Sequence, residues 1–128
     1  MTYFAYVSPK RFGPFNLPVP HQNKLLRTRA TELGFGFGLG VGEVVLDDVF
    51  LGLFETVRNA SEGDIVGCCS VRMLPSGEKL QHLCDITNEK KLHFDFLFEF
   101  TGVVRSPLEI ISDIHWYNTI GLQDFMQA

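Results

Sequence analysis

The chain has 128 residues and no apolar run of the ~18 residues that a membrane span needs, so it reads as one cytosolic domain able to bury roughly two-thirds of its unfolded surface. Eleven Lys and Arg against fifteen Asp and Glu give a net charge of −4, which excludes a general electrostatic grip on nucleic acid or anionic lipid and leaves room only for a local basic site. The three cysteines, Cys68, Cys69 and Cys84, show neither C-x-x-C nor zinc-site spacing, so they read as reduced structural thiols and neither a metal nor a cofactor is expected.

The run "YFAYVS" (3–8) is aromatic and β-branched and stops at Pro9, as a short first strand should. Residues 9–20 hold four of the six prolines and form a loop. From His21 to Leu33 the residues Leu25, Leu26, Ala30 and Leu33 fall at helical spacing. The stretch "ELGFGFGLGVGEVV" (32–45) then places a glycine at every second position from Gly34 to Gly42. A dinucleotide fingerprint needs glycines at its first, third and sixth positions, which a period of two cannot supply. Period two is instead the alternation of a strand, expected over 35–45, with Phe35, Phe37, Leu39 and Val41 filling one face. The glycines leave the other face open to close approach by a packing helix or a ligand.

A second helix is expected over 47–63, with Asp47 or Asp48 as its N-cap and Gly63 near its end. "DIVGCCSV" (64–71) is a continuous apolar run, as in a central parallel strand. Pro75 and Ser76 precede a third helix over 77–90, whose inward stripe is Leu80, Leu83, Cys84 and Thr87. "LHFDFLFEF" (92–100) alternates strictly, with His93, Asp95, Leu97 and Glu99 on its wetter side, which places this fourth strand at the sheet edge. His93, Asp95 and Glu99 span roughly 20 Å at ~3.3 Å per residue, too far for one metal ion, so the row reads as solvated. "SPLE" (106–109) starts a fourth helix. Residues 1–116 form a single α/β domain, and 117–128 a tail read as a docking arm, a short helix or disorder.

Strands alternating with helices imply a three-layer, doubly wound, mainly parallel four-stranded sheet of order about 2-1-3-4, resolvase N-terminal or flavodoxin-like. In such sheets a ligand sits outside the carboxyl ends of the strands. The first strand delivers Ser8, Lys10 and Arg11 there, the second Glu43, the third Ser70 and Arg72, and the fourth Glu99. The first helix starts at the same edge with His21, Gln22 and Asn23. Free N–H groups beside Lys10 and Arg11 favour an anion. Ser8, with His21 as base, is a candidate nucleophile, although no G-x-S-x-G elbow surrounds it. Glu43 and Glu99 are candidates for proton transfer, or simply acceptors for nearby amides.

"YFAYVS" and "EGDIVGCCSVRMLPS", with the helix between them, resemble the N-terminal catalytic domain of serine recombinases over about residues 3–115. That resemblance implies a serine at Ser8 that attacks DNA phosphate. The arginine two places before it is Tyr6 here, the third-strand arginine pair falls on Met73 and Ser76, and Arg72 is one place out of register. No DNA-binding helix-turn-helix follows, and no nucleic-acid partner is expected. Ser8 with "KRF" (10–12), "PVPHQN" (18–23) with Arg27, Glu43, and Ser70 with "MLP" (73–75) resemble more closely the sporadic carbohydrate cluster proteins of bacterial surface-polysaccharide gene clusters. Members tend to carry a His-Phe pair shortly before the strand-four glutamate, whereas His93 here stands further from Glu99.

The resemblance implies a pathway, and the residues supply the candidates. The first expectation is a small enzyme or enzyme-like domain for a phosphorylated or nucleotide-linked sugar. In it Ser8, His21, Glu43 and Glu99 are the chemical groups, and Lys10, Arg11, Gln22, Asn23, Arg27, Ser70 and Arg72 hold the ligand. The alternatives are a non-catalytic module that dimerises or docks through the glycine-bare face or the tail, and a degenerate recombinase-like domain without strand exchange.

Overall fold

Strand and helix alternate as the periodicities require in the computed structural model, which describes residues 1–10, 17–43, 49–99, 104–107 and 109–110. The elements are β1 (Thr2–Ala5), α1 (Val19–Leu33), β2 (Gly36–Leu39), α2 (Leu51–Asn59), β3 (Ile65–Cys68), α3 (Gly77–Glu89), β4 (His93–Phe96) and β5 (Val104–Arg105), with a 3-10 turn at Val71–Met73. The sheet order is β2-β1-β3-β4-β5. β1 runs parallel to β2 and β3, and β3 parallel to β4, while β5 pairs antiparallel with β4. The expected order of four strands is thus kept, but the edge assignment of β4 is corrected: β5 covers it through the pairs Phe94 with Arg105 and Asp95 with Val104.

Right-handed crossovers in this order send α1 to one face and α2 and α3 to the other. The register agrees: Tyr3, Ile65, Gly67, His93 and Asp95 share the α1 face, and Phe4, Val66, Cys68, Phe94 and Phe96 the opposite one. α3 buries Leu80, Leu83, Cys84 and Thr87, the stripe read from its sequence. Ser106 accepts at its carbonyl from the amides of Glu109 and Ile110 at 3.2 and 3.3 Å, the first turn expected from "SPLE". The rest of that helix and the tail lie outside the described residues.

The glycine stretch divides into two parts. Gly34 takes φ 77° and closes α1 as its left-handed cap, so the first glycine of the series belongs to the helix. β2 itself is only Gly36–Leu39, shorter than the expected 35–45. Its apolar side is less filled than its spacing suggests, since Leu39 is 64% and Val41 41% exposed. Its glycine side is occupied: a Cβ at Gly38 would lie 3.0 Å from the Phe4 ring. One at Gly40 would lie 2.7 Å from the Ala5 carbonyl and 2.8 Å from Thr56 Oγ1. A helix, α2, therefore fills the space that the missing side chains leave.

Beneath α1 the expected solvated row is overturned by Asp95, which has no exposed surface. The Tyr3 hydroxyl donates to Asp95 Oδ2 at 2.8 Å, Arg29 Nε to the same oxygen at 2.9 Å, and Arg29 Nη2 to Oδ1 at 3.4 Å. Burying a carboxylate is tolerable only with such donors. To reach Asp95 on β4, the Tyr3 ring crosses the intervening β3 at Gly67, where a Cβ would stand 2.2 Å from ring atoms. Gly67→Ala is therefore expected to lower stability by about 1–3 kcal/mol as an overpacked site, measured by urea unfolding. A variant as stable as the parent would contradict this reading of the crossing.

Candidate functional site

Among the described residues, the segments that leave the carboxyl edge are held there by polar side chains engaged with backbone. At the exit of β1, the fully buried Gln22 of α1 accepts from the Ser8 amide at 3.2 Å and donates to the carbonyls of Ser8 and Leu17 at 2.8 and 2.7 Å. Gln22 thus fixes the helix start against the strand end, and it positions Ser8 through its backbone. Ser8 is 3% exposed. Its Oγ accepts from the Lys10 amide at 3.2 Å, and its side chain stands close enough to the Tyr6 phenol to ease that group's ionisation slightly.

Tyr6 is the residue that sequence reasoning passes over. It continues the pairing of β1, its amide donating to the Gly67 carbonyl at 2.9 Å, and its hydroxyl donates to Glu43 Oε2 at 2.7 Å. Ser8 and Glu43 thereby lie on either side of one phenol. Glu43 in turn accepts from the amides of Gly52 and Leu53 at 3.1 and 3.2 Å. These are the open N–H groups of the first turn of α2, where a carboxylate also meets the positive end of the helix dipole.

The expected capping by Asp47 or Asp48 is corrected by this arrangement. α2 starts at Leu51, with Phe50 in the cap position and no side-chain hydrogen bond from it, and the cap is supplied by Glu43 from the end of the preceding segment. Asp47 and Asp48 lie outside the described residues. The other end of α2 receives Lys90, whose Nζ donates to the carbonyls of Val57 and Ala60 at 3.2 Å each, and to that of Arg58. A helix of nine residues is thus held at both poles by charges of the complementary sign. Lys10 joins the same region: its Nζ donates to the Val49 carbonyl and stands 4.4 Å from the centroid of Phe50. An ammonium has three protons, so this bond leaves it able to meet an anion.

The β3 and β4 exits repeat the pattern. Glu99 accepts from the Ser70 hydroxyl and, at 3.1 Å, from the Val71 amide, while Ser70 Oγ accepts from the Arg72 amide at 3.1 Å. Ser70 and Glu99 thus open the 3-10 turn that leads to α3. Each of the two glutamates has its own donors, Glu43 at the β2 exit and Glu99 at the β3 exit. Cys68 and Cys69 are buried beside this turn, and burial raises both thiols, Cys68 well above its usual value and Cys69 to about 12, as expected of inert sulfur.

The remaining candidates spread along α1. His21 is exposed and lines a cleft of about 400 Å³ with Lys24, Arg29 and Leu97, and it makes no hydrogen bond to Ser8. Arg27 leaves the carboxyl edge altogether, its guanidinium lying 4.6 Å from the centroid of Phe37 on β2. Asn23 Oδ1 is buried without a hydrogen-bond partner among the described residues. Arg11 lies outside them. Among the described residues, no helix is long and apolar enough to cross a membrane and no cluster of three or more His, Cys, Asp or Glu could hold a metal ion. Compared with protein-family models, curated proteins and solved structures, the chain matches none, so the site itself is the basis for any functional reading.

The two buried phenols make this arrangement sensitive to alkali. Burial, then the neighbouring Asp95 charge, pushes the Tyr3 phenol far up, and burial, then the hydrogen bond to Glu43, does the same for Tyr6. Burial also raises Cys84, to about 11. Each folded pKa lies above its unfolded value, so the stabilisation is complete below the ordinary pKa, 9.0 for the thiols and 10.0 for the phenols, and is lost as pH climbs beyond it. The urea midpoint should therefore fall above about pH 9. Tyr6→Phe should fall less steeply than the parent above pH 10, and an unchanged slope would contradict the assignment.

Proposed function

We propose that this chain is a small enzyme or enzyme-like domain that binds a phosphorylated or nucleotide-linked sugar at the carboxyl edge of its sheet, in bacterial surface-carbohydrate synthesis. The observation that carries the reading is the Tyr6 hydroxyl bonded to Glu43 Oε2 with Ser8 beside the phenol, which sets a serine near a carboxylate at the edge where open α/β sheets bind ligands. A proton leaving Ser8 passes to the phenol as the phenol's own proton passes to Glu43, which raises the nucleophilicity of the serine oxygen. Arg11 and Arg72, shortly after β1 and β3 in the chain, are assigned to the anion. Ser70 and Glu99 shape the opposite wall.

The resemblance to sporadic carbohydrate cluster proteins supports the substrate class. The recombinase reading is the weaker one, since Tyr6 occupies the place of a phosphate-binding arginine and points its hydroxyl at an acid. Thermal melts against sugar phosphates and nucleotide sugars test the proposal. A ligand at a hundredfold excess over its Kd stabilises by about 2.7 kcal/mol, a rise of several degrees in a domain of this size. Ser8→Ala should keep that rise and lose turnover at least a hundredfold, whereas a flat midpoint across both ligand classes rejects the proposal.

A second reading, a non-catalytic module that dimerises, is favoured by the exposed Leu39 and Val41 at the β2 edge of the sheet. Because Phe4 and Thr56 fill the glycine side, the available surface is the strand edge and not the glycine-bare face. Light scattering on the full chain and on a chain lacking 117–128 decides it: dimers in both support edge pairing, and monomers in both exclude it.

A further inference from the structure

A cleft of about 500 Å³ runs between α2 and α3 on the face of the sheet away from α1, within the range of small-molecule sites. Its walls are Val49, Phe50, Leu51, Phe54 and Arg58 from the α2 side, and Glu78, Lys79 and His82 from α3. The Phe54 and His82 rings stack with centroids 5.5 Å apart and 28° between their planes. Cations gather on these rings. Lys10 lies 4.4 Å and Lys79 5.9 Å from the Phe50 centroid, and Arg58 lies 5.9 Å from that of Phe54. Leu51 at the mouth is 65% exposed.

Three cations against the one acid Glu78 around an aromatic cleft, in a chain of net charge −4, select among occupants. An uncharged apolar peptide would strip water from Lys10 and Lys79 without replacing it. A flat ring carrying phosphate satisfies both parts of the cleft at once: the ring extends the Phe54–His82 stack on its outer face, and the phosphates lie between the two ammonium groups. α2 and α3 follow β2 and β3, so their first turns stand at the carboxyl edge. Lys10, two residues beyond Ser8, bonds the Val49 carbonyl and so connects the cleft with that edge.

We propose that the α2–α3 cleft binds a nucleoside diphosphate, its base against Phe54 and His82 and its phosphates between Lys10 and Lys79. A sugar on the terminal phosphate then extends toward Ser8. The placement of the sugar rests on the function proposed above, whereas the nucleotide site stands on the cleft alone.

Calorimetric titration of the full chain with uridine, adenosine and guanosine diphosphates and their glucose-linked forms, with inorganic pyrophosphate and glucose 1-phosphate alongside, tests it. At least one nucleoside diphosphate should bind about tenfold or more tighter than pyrophosphate, the gain a stacked base supplies. Lys79→Ala and His82→Ala alter exposed side chains, and each should weaken that nucleotide about fivefold or more with an unchanged melting midpoint. Pyrophosphate binding as tightly as every nucleotide, or both variants binding like the parent, overturns the proposal. Glucose 1-phosphate binding while no nucleotide binds rejects the cleft site and keeps the sugar reading. Nucleotide binding without any gain from an attached sugar keeps the cleft site and rejects the sugar reading, and no binding at all rejects both.

Discussion

A carboxylate with no exposed surface lies within this sheet, and the arrangement of four elements follows from satisfying it. Asp95 belongs to β4, its donors Tyr3 and Arg29 belong to β1 and α1, and the tyrosine reaches it only because β3 offers a glycine at the crossing point. Unpaired, such a charge would cost several kcal/mol; paired, it prescribes where α1 must lie. Arg29 fixes the second half of the helix over the sheet, and Gln22 fixes its first turn to the backbone of Ser8 and Leu17. The two ties together set the position of the strand-one exit, on which the candidate chemistry depends.

The same economy of acids recurs elsewhere. Asp64, 6% exposed, accepts from the amides of Thr2 and Ser61 at 2.9 and 2.8 Å and so anchors the start of β1. Glu43 and Glu99 do this at the opposite edge for α2 and for the turn before α3. An acid that caps a helix and also receives a phenol hydroxyl can serve both fold and chemistry, because the helix amides hold it in place while its phenol partner stands beside a serine. This dual use explains why polar residues converge on the carboxyl edge while few of them present unoccupied hydrogen-bonding groups.

Much of the architecture is legible in the sequence, and the exceptions have physical reasons. The α3 stripe reads cleanly because Leu80, Leu83, Cys84 and Thr87 repeat at helical spacing, and β3 reads as central because its run is apolar throughout. The alternation along 92–96 assigns residues to faces correctly, yet it cannot say which face is wet, and Asp95 finds its cation 66 residues away in sequence. β5, with two residues, is too short to carry a period. At the site, Glu43 stands out as a lone acid after glycines, and Gly67 inside an apolar run marks a close approach. Tyr6 gives no such signal, because a tyrosine in a β-run reads as core until the partner of its hydroxyl is known.

The buried charge is the point on which this account is most open to measurement. In the parent background, Asp95→Asn should destabilise, since it removes the charge that Arg29 meets. In an Arg29→Met background the same change should stabilise, since there it neutralises a carboxylate left without its cation, a loss of about 3–5 kcal/mol for Arg29→Met alone. Urea unfolding of the four proteins reads this reversal of sign directly. Additive effects of the two substitutions, with Arg29→Met itself nearly neutral, would show that Asp95 does not hold α1 to the sheet.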